Sequence, residues 1–98
     1  MDRQYGVRLV TPLGTKDGTI TLSKKGKNVS GIFFVMNEEN KFTGFETDDG
    51  VLEIEGVIKT KYKTVNYHAT GKADDEKIAL SLKTKTDRYT LYGICEEE

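Results

Sequence analysis

Residues 29–59, VSGIFFVMNEENKFTGFETDDGVLEIEGVIK, most constrain what this chain can fold into. Three apolar runs are separated by NEEN and TDDG, and each run carries one interior glycine: Gly31, Gly44 and Gly56. Apolar residues recur at every second position, the period of a strand with one buried face. The polar breaks read as hairpins. A crossover between parallel strands needs about a dozen connecting residues, and these breaks are far shorter. The stretch is therefore an antiparallel meander.

The same plan extends in both directions. Strands are expected over residues 4–11, 18–23, 29–36, 41–46, 51–59, 64–72, 77–84 and 88–94. Between them lie Pro12-Leu13-Gly14, a lysine-rich turn around Gly26, Asn37-Glu38-Glu39-Asn40, Asp48-Asp49-Gly50, residues 61–63, Ala73-Asp74-Asp75-Glu76 and Lys85-Thr86-Asp87. No window keeps apolar residues at helical spacing while avoiding the glycines. The expected fold is all-β: a single eight-stranded antiparallel up-and-down meander closed into a small barrel, strand one pairing strand eight. A five- or six-stranded Greek-key barrel is the alternative. Residues 1–98 make one domain, and the acidic Glu96, Glu97 and Glu98 form a frayed tail.

The glycines recur at Gly18, Gly31, Gly44 and Gly56, then more loosely at Gly71 and Gly93. Each shares the two-residue phase of its strand's best apolar residues, so each should point inward. An interior glycine gives up packing and backbone entropy, which leaves two explanations. Inward glycines allow the sharp bends of a small closed barrel, or they open a cavity for a ligand. Eight strands stand at the size where side chains either fill the interior or leave room for one small ligand.

The segments Gly18-Thr-Ile-Thr-Leu, Val29-Ser-Gly-Ile-Phe, Phe42-Thr-Gly, Ile54-Glu-Gly-Val-Ile, Tyr67-His-Ala-Thr-Gly-Lys and Tyr89-Thr-Leu-Tyr-Gly repeat one pattern. With them the chain resembles small bacterial lipocalin-like (calycin) meander domains of unassigned function. The resemblance covers most of the chain and implies a lipocalin-like barrel. The chain departs from true lipocalins in length and in having no Gly-x-Trp signature, since it contains no tryptophan.

Fifteen basic residues against sixteen acidic ones leave a net charge of −1. Whole-molecule attraction to nucleic acid or to an anionic membrane is not expected. Lysines cluster in turns and strand ends, with Lys59, Lys61 and Lys63 alternating. Interleaved Tyr62, Tyr67, Tyr89 and Tyr92 could supply stacking surfaces of the kind that single-strand binders use. Lysines that keep strand edges and turns soluble are the simpler reading, and nucleic acid is not the expected partner. The longest apolar run, residues 32–36, is too short for a helix that spans a bilayer. The N-terminal MDRQYGVRLV does not read as a signal peptide. The single Cys95 has no internal disulfide partner, which fits a reducing compartment. The expected location is cytoplasmic.

Catalysis has little to stand on. His68, the sole histidine, falls opposite Tyr67 and Ala69 in the alternation and should face outward. Nothing in the sequence brings it to Cys95 as a nucleophile–base pair. Glu38/Glu39, Asp48/Asp49 and Asp74/Asp75 all fall in expected turns, where such residues solvate and shape the chain. There is no cysteine cluster or histidine pair for a metal, and no helix to follow a phosphate-cradling glycine loop. No cofactor, metal or catalytic residue is assigned.

Two binding surfaces remain. The interior would be lined by Tyr5, Phe33, Phe42, Ile54, Tyr67, Leu80, Tyr89 and Leu91, with tyrosine hydroxyls as the polar handles for a small apolar ligand. The outer face carries Ile32, Phe34, Met36, Phe45 and Val57, expected to form one contiguous patch for a homodimer or another protein partner. The expected function is a non-enzymatic barrel that binds a small apolar ligand. The alternative is an interaction module with a packed core.

Overall fold

The computed structural model describes residues 2–12, 14–60 and 62–96. Leu13, Lys61, Glu97 and Glu98, which the sequence places in breaks and in the acidic tail, lie outside the described residues. The chain forms β1 (Asp2–Thr11), β2 (Gly14–Lys25), β3 (Asn28–Val35), β4 (Glu38–Glu46), β5 (Leu52–Lys59), β6 (Thr64–Ala73), β7 (Lys77–Lys83) and β8 (Arg88–Cys95). Each strand pairs antiparallel with the next, and β1 also pairs with β8, from Tyr5↔Cys95 to Val10↔Thr90. The barrel is therefore an up-and-down meander, and the Greek-key alternative is excluded.

Alternation dictates the core. Tyr5, Val7 and Leu9 of β1 point inward, as do Ile20 and Leu22 of β2 and Val29, Phe33 and Val35 of β3. Phe42, Leu52, Ile54, Ile58, Tyr67 and Ala69 continue the lining through β4, β5 and β6. Ile78, Leu80, Leu82 and Leu91 close it. Burying side chains of this size stabilises by about 1.5–3 kcal/mol each, before the entropy cost of ordering them.

Two boundaries differ from the expected ones by more than two residues. β2 begins at Gly14 rather than Gly18, because Thr11↔Gly14 to Arg8↔Asp17 extend the β1–β2 ladder through a polar segment. The connection after β3 is not Asn37 to Asn40 but the pair Met36-Asn37, between Val35 and Glu38. Both residues have positive φ, 54° and 63°. Two positive-φ residues make the tight turn whose twist suits a hairpin. Glu38, Glu39 and Asn40 therefore belong to β4.

That shift puts Asn40 in phase with Phe42 and buries it at 3% exposure. Its Nδ2 donates to the carbonyls of Phe33 and Glu38, at 3.1 Å each. Its Oδ1 accepts from the Lys59 amide at 2.9 Å. The β4–β5 register runs only from Phe42↔Gly56 to Glu46↔Leu52. Beyond Phe42 the Asn40 side chain takes over the link between the two strands.

The inward glycines mark close strand approach. A Cβ on Gly31 would lie 1.9 Å from the Thr21 carbonyl oxygen and 2.6 Å from Phe42 Cζ. One on Gly56 would lie 2.6 Å from the Tyr67 hydroxyl. Neither position has room for a methyl group unless a neighbour moves. Gly31→Ala should lower unfolding free energy by about 1–3 kcal/mol through overpacking, read from urea denaturation. Asn40→Ala should lower it by about 1–3 kcal/mol, since the Lys59 amide loses its acceptor. A Gly31→Ala protein as stable as wild type would show that the strands have slack there.

Candidate functional site

The meander gives the barrel two unlike ends. The base gathers the chain termini and the turns after β2, β4 and β6. The mouth gathers the turns after β1, β3, β5 and β7.

The base is drawn together by internal bonds, leaving a depression of about 80 Å³ beside Tyr5 and Lys24. Tyr5 donates its hydroxyl to the Asp74 carbonyl at 2.6 Å. Lys24 and Glu46, both in the inward phase and both partly buried, pair at 3.0 Å. Lys27 pairs with Asp48 beside them. The Asp74 carboxylate accepts from the amides of Glu76 and Lys77 at 2.8 and 2.9 Å, which fixes the β6–β7 turn. Those two amide bonds hold the carboxyl below its ordinary value. Burial pushes the Tyr5 phenol up, against the opposing influence of Arg3.

The centre is filled. Phe33, Phe42, Ile54, Tyr67, Leu80 and Leu91 meet around a residual space of about 10 Å³. That is at or below what a single water needs. Six of the eight residues expected to line a ligand thus line one central space, and they fill it with their own side chains. Tyr5 instead lies at the base, and Tyr89 in the mouth. Tyr67 brings the one phenol into the centre, where burial pushes its pKa up to about 12.

The mouth is open. A depression of about 500 Å³ lies there, with Leu9, Met36, Ile58, Val65 and Tyr89 among its walls. Lys16, Tyr62, Lys63 and Asp87 stand at its rim, all exposed. Lys16, Lys63 and Asp87 continue the inward phase of Gly18, Val65 and Tyr89 beyond the apolar core. Sequence reasoning put these three in loops and left tyrosine hydroxyls as the sole polar handles. The signal that would have found them is the two-residue phase, carried one step past each apolar run.

Met36 requires a correction. It was expected on the outer face, but the turn carries it over the mouth, half-buried against the core. Its left-handed backbone costs roughly 1–2 kcal/mol for a residue with a Cβ. Its position follows from the turn and not from the strand alternation.

The remaining outer residues do not form one patch. Phe34, 42% exposed, lies between Thr19 and Glu39. Phe45, 52% exposed, lies between Asn28 and Glu53. Ile32 lies between Thr21 and Lys41, and Val57 faces Asn66; both are half-buried. Polar neighbours thus separate the two phenylalanines. The sequence reading missed a second outer group, Tyr92 and the 72% exposed Ile94, which faces Gly6 and Lys77.

His68 is on the outer face as expected. Its Nε2 is 2.9 Å from Glu53 Oε1 and its Nδ1 3.6 Å from Glu55 Oε1. Cys95 belongs to the inward phase at the base, packed against the core, so the two do not meet. Of the carboxylate pairs, Glu38/Glu39 sit on β4 rather than in a turn, while Asp48/Asp49 and Asp74/Asp75 are in turns. Among the described residues no group of three His, Cys, Asp or Glu side chains is arranged to hold a metal ion. Tyr62, Tyr67, Tyr89 and Tyr92 divide among rim, centre, mouth wall and outer face, and do not share a stacking surface. No helix among the described residues is long and apolar enough to cross a membrane.

Of the three perturbed groups, Tyr67 and Asp74 shift in opposite directions. Tyr67 is raised in the fold, so its contribution to stability is complete below pH 10.0 and is lost as pH rises through about 12. Asp74 is lowered, so its contribution is present above pH 3.8 and is lost as pH falls through its folded value. Urea midpoints measured against pH should fall steeply above pH 10.0 in wild type and less steeply in Tyr67→Phe. Superimposable alkaline limbs would place the Tyr67 hydroxyl in water.

No protein family, curated protein or solved structure matches the chain.

Proposed function

We propose that this protein is a non-enzymatic binding domain for a small apolar ligand, held in the mouth of the barrel rather than at its centre. The contrast between the two spaces carries this reading: about 500 Å³ at the mouth against about 10 Å³ in the centre. Ligand sites of small molecules usually measure roughly 300–1,000 Å³ and combine apolar walls with a few polar groups. Half-buried Met36, Val65 and Tyr89 supply such walls here, above the buried Leu9 and Ile58. A ligand entering this depression displaces water from apolar surface without opening the core. The alternative, a homodimer or other protein contact through Ile32, Phe34, Phe45 and Val57, has less support, because polar neighbours interrupt that surface.

A neutral fluorescent probe such as N-phenyl-1-naphthylamine tests the reading. Its emission should rise on binding to wild type. Val65→Asp puts a carboxylate into the mouth wall and should weaken binding at least ten-fold. Phe33→Ala, which enlarges the centre, should leave affinity within about two-fold, provided that circular dichroism shows both variants folded. Binding that ignores Val65→Asp but changes with Phe33→Ala would move the site to the centre. An absence of probe binding to wild type would remove the proposal.

A further inference from the structure

The charge distribution of the two ends says what kind of molecule the mouth would take. The net charge of −1 conceals a polarity along the barrel. Among the described residues, six basic side chains stand on the mouth turns and the strand ends that run into them: Lys16, Lys59, Lys63, Lys83, Lys85 and Arg88. Three acidic ones, Glu38, Glu39 and Asp87, stand against them. At the base the balance reverses but is closer: counted in the same way, eight acidic side chains (Asp2, Glu46, Asp48, Asp49, Asp74, Asp75, Glu76 and Glu96) stand against six basic ones (Arg3, Lys24, Lys25, Lys27, Lys72 and Lys77). Arg8 and Asp17 pair at 3.3 Å and cancel on the outer face. Fields of exposed charges fade over about 8 Å at physiological salt. A ligand at the mouth therefore feels the mouth's charge and not the chain's total.

Within the mouth the charges are placed to meet a ligand. Lys16 and Lys63 reach the rim in the inward phase, and neither ammonium makes an ion pair among the described residues. Asp87, on the same rim, accepts a hydrogen bond from Thr86 Oγ1 at 3.2 Å. Below the rim the half-buried walls of Met36, Val65 and Tyr89 are largely apolar, over a floor of buried Leu9 and Ile58. Apolar walls under a cationic rim match one chemical class: an alkyl chain that ends in an anion.

Resting on the mouth as the binding site, we propose that its ligand is a single-chain amphiphile with an anionic head group. Lys16 and Lys63 receive the head, and the half-buried wall of Met36, Val65 and Tyr89 receives the chain. A lysine ammonium acts as a point charge rather than a planar fork. The rim therefore selects the sign of the head group more than its shape.

Three probes of equal chain length, used as monomers, test this: dodecanoate, neutral dodecanol and dodecyltrimethylammonium. At low salt and neutral pH, dodecanoate should bind at least ten-fold more tightly than dodecyltrimethylammonium, with dodecanol between them. Added salt should shrink the gap. The double variant Lys16→Gln, Lys63→Gln should narrow the gap to within about three-fold, and an undiminished gap would overturn the assignment of the head group to these two lysines. Equal binding of the three probes would overturn the head-group inference while leaving the mouth as the site. No binding of any of them, nor of the neutral fluorescent probe, would overturn both. Binding to vesicles of anionic phospholipid without binding to monomeric dodecanoate would overturn the amphiphile and point to a membrane surface.

Discussion

The structure depends on how closely neighbouring strands approach at the inward glycines. At Gly31 the Thr21 carbonyl occupies the place of a side chain, and at Gly44 the Glu53 carbonyl does so, 2.0 Å from where a Cβ would stand. Strands that approach this closely can bend and close a barrel around a small radius. Closure leaves no exposed edge to template aggregation. It also brings Phe33, Phe42 and Tyr67 into mutual reach across the interior. The glycines thus serve a tight ring, and the space they vacate is taken by backbone and by large side chains. Only about 10 Å³ is left over.

The two ends follow from the same closure. At the base, inward positions run out into groups that find partners within the chain: Tyr5 on the Asp74 carbonyl and Lys24 on Glu46. At the mouth, the strand ends diverge. Between β4 and β5 the ladder stops at Phe42↔Gly56, and Asn40 spans the gap with one side chain. The strained Met36 turn and the inward-phase Lys16 and Lys63 end in solvent instead of in internal pairs. The mouth thus keeps half-buried apolar walls beneath exposed polar groups, whereas the base closes on internal pairs.

Much of this was legible in the sequence because period-two alternation is strong wherever one face is buried. All eight strands, their order and the inward phase of the core residues can be read from residues such as Leu52, Ile54 and Ile58. What could not be read is instructive. Gly14 to Asp17 look like a loop because both faces are polar, yet pairing with β1 makes them strand. Asn37 to Asn40 look like a turn because all four are polar, but two positive-φ residues suffice, and Asn40 then falls inward. Misplacing those ends hid the mouth, since Lys16 and Met36 lie where the boundaries shifted. Whether the centre is filled is a matter of volume and not of pattern, so alternation could not decide it. Global net charge was similarly blind to the opposite signs of the two ends.

The central claim, a filled centre beneath an open binding mouth, is tested most directly by backbone amide NMR of the labelled protein during titration with dodecanoate. Shift changes should concentrate at Leu9, Met36, Ile58, Lys63, Val65 and Tyr89, with Ile54, Leu80 and Leu82 left nearly still. Changes centred on Ile54, Leu80 and Leu82, with the mouth unmoved, would contradict the account and show that the ligand opens the core.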